Sequence, residues 1–179
     1  TLRGLASWKD GKLTLYPALA GQSVNTILAD REGTIWAGGY LGGVGLARTA
    51  TGTLCAIRDG SARCEDAGFG QWVASLYEDK NGALWVAAQT GLWRWCPGDP
   101  IRYAMSEFAV ASSQILNESE DGHLLVASQD GIRQLVGGKD LAYPLQGGRS
   151  AVKPERLLRD RDGGQWIGTW DGVVHVGQG

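Results

Sequence analysis

The chain has 179 residues, with 17 Lys and Arg against 19 Asp and Glu and a formal net charge of −2 at pH 7. That balance, without a basic run, removes the electrostatic footprint that nucleic-acid binding needs. No apolar run approaches the roughly 18 residues of a spanning helix, so this segment is expected to make no membrane contact. The 28 glycines stand beside eight tryptophans, which fits many tight turns around a sizeable core and not disorder.

Residues 1–16 hold two short strands, Gly4–Trp8 and Lys12–Tyr16, around the turn tripeptide Lys9-Asp10-Gly11. Residues 24–57 then introduce the unit that organises the chain, LADREGTIWAGGYLGGVGL from Leu28. An apolar stretch ends in acid or polar residues and a glycine. A second apolar stretch carries a tryptophan, and after a small gap a third opens with Gly and an apolar residue. The same order returns at Leu76 (LYEDKNGALWVAAQTGLWRW), Leu116 (LNESEDGHLLVASQDGI) and Leu158 (LRDRDGGQWIGTWDGV). The turn glycines Gly33, Gly82, Gly122 and Gly163 lie 49, 40 and 41 residues apart, and the column Trp36, Trp85, Leu125, Trp166 keeps the same spacing. Two columns in one register define an internal repeat.

Apolar runs of about five residues, punctuated by Gly, Asp and Asn every 8–12 residues, read as strands, and the glycines leave no window for helical periodicity. In the second unit strand a is predicted at 73–78, b at 83–87, c at 91–95 and d at 100–104. Blade one is then 24–57, blade two 73–104, blade three 113–143 and an incomplete blade four 155–176, with 58–72 an insertion after blade one. Four-stranded units of about 40–50 residues predict an all-β chain, a β-propeller of four-stranded antiparallel blades. Residues 1–16 supply strands c and d of a partial blade and 155–176 only a, b and c, so the chain is expected to be a partial propeller cut mid-blade at both ends. Thr1–Tyr16 either completes the blade containing Gly172–Val176, closing a small ring, or leaves an open arc whose edges invite other propeller segments or a second chain.

The pattern DREGTIWAG, DKNGALWVA and DRDGGQWIGT, with SEDGHLLVAS a copy lacking both Asp and Trp, resembles the two-component regulator propeller repeat. The resemblance implies a seven-bladed propeller, often in tandem, forming the periplasmic sensor half of a bacterial transmembrane signalling protein. Its output half, a kinase or a diguanylate cyclase, has no motif in this chain.

Between Leu54 and Trp72 the chain reads LCAIRDGSARCEDAGFGQW. Asp59-Gly60 between alternating runs is a strong hairpin signal. With those two as the loop, Cys55 faces Cys64 at a non-hydrogen-bonded position, close enough for a disulfide, which would fit an oxidising compartment. Two reduced cysteines on the hairpin are the alternative. Cys96 has no evident partner, and the three cysteines lack the C-x-x-C spacing of a zinc site.

Asp30, Asp79 and Asp160 each precede a turn glycine by three residues. They resemble the start of a calcium loop but none of the copies has the D-x-D-x-D-G pattern with its later Glu, so their expected role is to hydrogen-bond their own turn. Trp36, Trp85 and Trp166 are expected to pack between blades. His123 and His175 have no nucleophile or acid at a suggestive spacing, and no catalytic, metal or cofactor fingerprint is present, so no catalytic residue, metal or cofactor is expected.

In such blades the a–b and c–d turns share one face and the b–c and d–a connections the other. The first face repeats near-identical turns, whereas the second presents Tyr40, Gln89, Gln129 and Trp170 four residues beyond the tryptophan column. Aromatic and amide side chains at equivalent positions suit a neutral polar ligand such as an oligosaccharide; loop residues that merely meet solvent or a neighbouring blade are the alternative. The expected function is a ligand-binding sensor propeller. A protein-interaction scaffold and a propeller-fold polysaccharide lyase or hydrolase are the rival classes.

Overall fold

The computed structural model describes residues 4–42, 50–66, 68–96, 98–105, 114–145 and 153–177. Its strands form five antiparallel sheets, each with neighbours in chain order. β1 (Ala6–Lys9) and β2 (Lys12–Leu15) make a two-stranded sheet, followed by a single 3-10 turn, Pro17–Leu19. Blade one is β3 (Gln22–Ala29), β4 (Ile35–Leu41), β5 (Thr51–Arg58) and β6 (Ser61–Glu65). Blade two is β7 (Val73–Glu78), β8 (Leu84–Ala88), β9 (Gly91–Cys96) and β10 (Ile101–Tyr103). Blade three is β11 (Leu116–Glu118), β12 (Leu124–Ser128), β13 (Gly131–Val136) and β14 (Lys139–Ala142), and blade four is β15 (Arg156–Arg159), β16 (Gln165–Thr169) and β17 (Gly172–Val176).

Blade one corrects the sequence reading. The Asp59-Gly60 hairpin is not an insertion at 58–72 but the turn between the blade's third and fourth strands, β5 and β6. Gly45-Leu46, read as the opening of the third strand, lies outside the described residues, as does residue 113 at the start of blade three. Cys55 and Cys64 face each other across β5 and β6 and are joined as a disulfide, with Cα atoms 4.0 Å apart. Cys96 keeps a free thiol, whose pKa burial pushes up.

Because strand side chains alternate between faces, each blade has one face toward the blade before it and one toward the blade after. Leu28 and Trp36 of blade one pack into a cluster with Val73, Leu76, Val86, Trp93 and Trp95 of blade two. Trp85 of blade two packs in the same way among Leu116, Leu125 and Ala127 of blade three. The backward face of blade one, with Ala37, Cys55 and Ile57, meets Leu5, Tyr16 and the fully buried Leu19. The core is thus a series of apolar seams between sheets, so each blade depends on its neighbours.

Gly33, Gly82, Gly122 and Gly163 take φ of +85°, +79°, +81° and +88° at the a–b turns, the left-handed region in which glycine carries no Cβ penalty. β1–β2 and β15–β17 remain separate sheets, so strand pairing does not close a four-bladed ring among the described residues.

Candidate functional site

The a–b turns share a device. Asp30 Oδ1 accepts the backbone N–H groups of Glu32 (3.0 Å) and Thr34 (2.7 Å), and its Oδ2 accepts the Trp36 indole N–H at 2.8 Å. Asp79 binds Asn81, Ala83 and Trp85 in the same way at 2.9, 2.9 and 2.8 Å. Asp160 binds Asp162, Gly164 and Trp166 at 3.0, 2.7 and 2.9 Å. In blade three Ser119 Oγ takes only the His123 N–H, at 3.0 Å, and Leu125 stands where the indole would be. Burial pushes the Asp30 carboxyl up, but the hydrogen bonds from Trp36, Thr34 and Glu32 outweigh it and hold its pKa below the ordinary value. The Trp166 indole is the main cause of the lowered pKa of Asp160. It acts against desolvation and is helped by the N–H groups of Gly164 and Asp162 and by His175, 3.2 Å away.

A second device links neighbouring turns. The residue after the turn acid donates its N–H to a carboxylate of the next blade, Arg31 to Glu78 and Lys80 to Glu118, each at 3.0 Å. Glu118 is buried, its other oxygen lies 3.6 Å from Lys80 Nζ, and Tyr77 stands 3.5 Å from it. Burial, and then the Glu118 charge, push the Tyr77 hydroxyl up to about 12. At the next seam the polarity reverses, and Arg159 Nη1 donates to the Ser119 carbonyl at 3.3 Å. The a–b turns are thus held by their own hydrogen bonds and by those of neighbouring blades.

On the opposite face the four sequence-predicted residues end or follow the second strand of each blade. Tyr40 is half-buried inside β4, opposite Ser23 and Gly52. Gln89 is exposed, yet its Oε1 accepts the Gln71 N–H at 2.6 Å and its Nε2 donates back to Gln71 Oε1 at 3.3 Å. With Thr90 Oγ1 donating to the Gly68 carbonyl at 2.9 Å, this turn clasps the connection between blades one and two. Gln129 is exposed, and Trp170 is 86% exposed at the β16–β17 turn. These two have surface to offer a ligand.

Sequence reasoning missed a cavity of about 780 Å³ along the inner strands. It is lined by Asn25 and Ile27 of blade one, Tyr77 of blade two, Gln114 and Asn117 of blade three, and Leu157–Gly163 of blade four. Its volume lies in the range of small-molecule sites. Asn25 sits at a β-bulge in β3, an irregularity that re-aims a side chain, and donates from Nδ2 to the Val73 carbonyl at 3.1 Å. The bulge in β7 at Val73/Ser75 recurs at the matching place. None of Tyr40, Gln89, Gln129 and Trp170 lines the cavity. Among the described residues no group of three or more His, Cys, Asp or Glu could hold a metal ion, and no helix is long and apolar enough to cross a membrane.

Sheets arranged in this way make the protein a β-propeller of four-stranded antiparallel blades, here a partial one. Two stretches of the chain, residues 18–40 and 68–90, match the two-component regulator propeller repeat. Among solved structures it is similar to the extracellular domain described as that of the hybrid two-component system BT3049 from B. thetaiotaomicron, with 20% identity and a TM-score of 0.69 over 97% of this chain and 24% of that one. The corresponding domain of BT4673 from the same organism is similar at 18% identity and a TM-score of 0.71, over 98% of this chain and 25% of that one. A virginiamycin B lyase from Staphylococcus aureus is similar at 16% identity and a TM-score of 0.60, over 88% and 56%. At these identities the likeness is one of fold. The chain spans about a quarter of the length of the two extracellular domains. No curated protein matches it.

Proposed function

We propose that the chain is a non-catalytic, ligand-sensing part of the periplasmic region of a bacterial transmembrane signalling protein, passing occupancy to a kinase or cyclase output domain. The repeat family, with its extracellular two-component neighbours, is the observation that carries this reading. The Cys55–Cys64 disulfide supports an oxidising compartment. The proposed ligand is a neutral polar molecule of the oligosaccharide class, held on the b–c and d–a face. Trp170 supplies a flat apolar surface there and Gln129 an amide. Tyr40 is half-buried within β4 and the Gln89 amide is engaged by Gln71, so these two shape the site more than they grip the ligand. Stacking on a rigid indole gives contact area at little entropic cost, and an amide fixes orientation by hydrogen bonds.

Calorimetry of an oligosaccharide panel against the wild type and a Gln129→Ala, Trp170→Ala double variant tests the proposal. Heat of binding to the wild type that is lost in the variant is expected. Equal affinities in the two proteins would reject this face. The cavity favours a second reading, a ligand lying along the inner strands beside Asn25 and Gln114. In that case Asn25→Ala weakens binding and the double variant does not.

A further inference from the structure

The disulfide of blade one sits in an unsymmetrical setting. Cys55 is fully buried in the seam with Leu19 and Val24. Cys64, its partner across β5 and β6, is only half-buried and stands between the exposed Arg63 and Glu65. A thiolate attacks a disulfide at the sulfur it can reach, and here that sulfur is Cys64 Sγ.

The surroundings also fit the reduced pair. Cys55 Sγ lies 3.5 Å from Gln22 Oε1, and Cys64 Sγ lies 3.8 Å from the Ala18 carbonyl oxygen. A disulfide sulfur has no proton to donate, whereas each thiol finds an acceptor already in place. Gln22 is buried and fixed, since its Oε1 accepts the Thr53 hydroxyl at 3.0 Å and its Nε2 donates to the Ala18 carbonyl at 3.2 Å. Nor does the strand pairing rest on the sulfurs alone. Leu54 faces Glu65, Ala56 faces Arg63 and Arg58 faces Ser61 along the same ladder.

Gln22 has a second attachment. Its backbone carbonyl accepts the Gly4 N–H at 2.8 Å, so the segment that carries the β1–β2 sheet is tied to the residue lying against both sulfurs. We infer that Cys55–Cys64 is a reversible exchange site for low-molecular-weight thiols, and that its redox state sets how firmly residues 4–22 dock on blade one. In the first step the external thiolate bonds to Cys64 Sγ and the Cys55–Cys64 bond breaks. Cys55 leaves as a thiolate and takes a proton from water. A second external thiolate then bonds to the sulfur of the first, and Cys64 leaves and is protonated in turn. The protein disulfide is thereby reduced to two thiols while two external thiols are oxidised to one disulfide. Two unbonded sulfurs need more room than a bonded pair, and that room is taken from Gln22 and Ala18. In the proposed sensor this is a redox input separate from the ligand face.

The test uses the 179-residue chain with Cys96→Ala, which removes the remaining thiol, in buffers of reduced and oxidised glutathione. Mass spectrometry after acid quenching should show disulfide and dithiol interconverting as the ratio changes. In that background Cys55→Ala should leave a Cys64 that takes up glutathione. With Cys64→Ala instead, Cys55 should react at least about tenfold more slowly, because it must wait for local opening. Amide hydrogen exchange in residues 4–22 should quicken about tenfold on reduction, while β5 and β6 keep their protection. A disulfide that no glutathione ratio opens, or a Cys55 that reacts as fast as Cys64, would overturn the inference. So would unfolding of β5 and β6 on reduction, or exchange in residues 4–22 that is the same in both redox states.

Discussion

Asp79 Oδ2 accepts the indole proton of Trp85, six residues further on, at 2.8 Å, while Asp79 Oδ1 holds the N–H groups of Asn81 and Ala83. One carboxylate thus fixes the a–b turn and orients the indole that fills the seam to blade three. Trp85 is only 8% exposed, so a bond lost here leaves a polar group with little access to water. Trp85→Phe keeps most of the ring contact and should cost about 1–3 kcal/mol, and Asp79→Ala, which strands three donors, roughly 2–4 kcal/mol. The double variant should fall short of the sum by about 0.5–3 kcal/mol, as for residues in one network. Additive losses in denaturant titrations would show that the two side chains act separately.

The same device makes stability depend on pH. Asp30 and Asp160 have depressed folded-state pKa values. Their contribution is complete above the unfolded value near ~3.9 and is lost as the pH falls through the folded values. Asp30→Asn and Asp160→Asn should therefore be less stable at neutral pH, yet lose less between about pH 5 and pH 2 than the wild type does. At the alkaline end Tyr77, raised to about 12, favours the protonated fold. Its contribution is present below about 10 and fades as the pH climbs toward the folded value. Thermal midpoints across this range decide both points, and parallel curves for wild type and Asn variants would refute the first.

The links between turns should differ in strength along the arc. Glu118 is buried beside Lys80, whereas Glu78 is half-buried and accepts from an exposed Arg31. Removing Glu118 strands the Lys80 N–H and the Tyr77 hydroxyl at a buried site, a cost of about 1–3 kcal/mol, whereas an exposed contact such as that to Arg31 is worth about 0–1 kcal/mol. Glu118→Ala should accordingly destabilise the protein several-fold more than Glu78→Ala in urea titrations. Equal losses would place no special weight on the seam between blades two and three.

Much of this was legible in the repeat. The glycine and tryptophan columns placed blades two and three and the strands of blade four, because a repeated a–b turn and two-residue b–c turns leave little freedom in register. The Asp and Trp columns were visible too, but were read as a turn role and a packing role. Their joint loss in blade three, where Ser119 and Leu125 stand, was the signal that they act together. Blade one was misdivided because residues 42–50 separate β4 from β5, whereas only Gln89 and Thr90 separate β8 from β9. Gln89 looked equivalent to Gln129 by spacing, and no spacing reveals that Gln71 holds its amide. The cavity was illegible because residues of four blades line it, and the repeat motif among them, the turn at residues 160–163, was read as serving only its own backbone. The exposure of Trp166, expected to lie between blades, follows from the uncovered face of blade four.

The disulfide should contribute measurably despite its short loop. Cys55 is fully buried in the seam with Leu19, and its bond to Cys64 spans a separation of 9 residues. Chain-entropy arguments assign such a loop roughly 2–3 kcal/mol. Replacing both cysteines by serine adds a buried hydroxyl at position 55, whereas Cys55→Ala, Cys64→Ala removes the bond alone. The alanine pair should lower stability by about 2–3 kcal/mol and the serine pair by more. If dithiothreitol left the thermal midpoint of the wild type unmoved, the bond would have no such weight.

Binding on the b–c and d–a face can be read from the indoles themselves. Trp36, Trp85 and Trp166 hold their N–H groups on turn carboxylates at the a–b end, while Trp170 lies exposed at the other end. Oligosaccharides titrated into the ¹⁵N-labelled protein should shift the Trp170 indole resonance progressively. The three carboxylate-bound indoles should stay in place. Movement of the Trp36, Trp85 or Trp166 signals with Trp170 unmoved would contradict this placement of the ligand. A Trp170 signal unmoved by every sugar in the panel would contradict oligosaccharide sensing at this face.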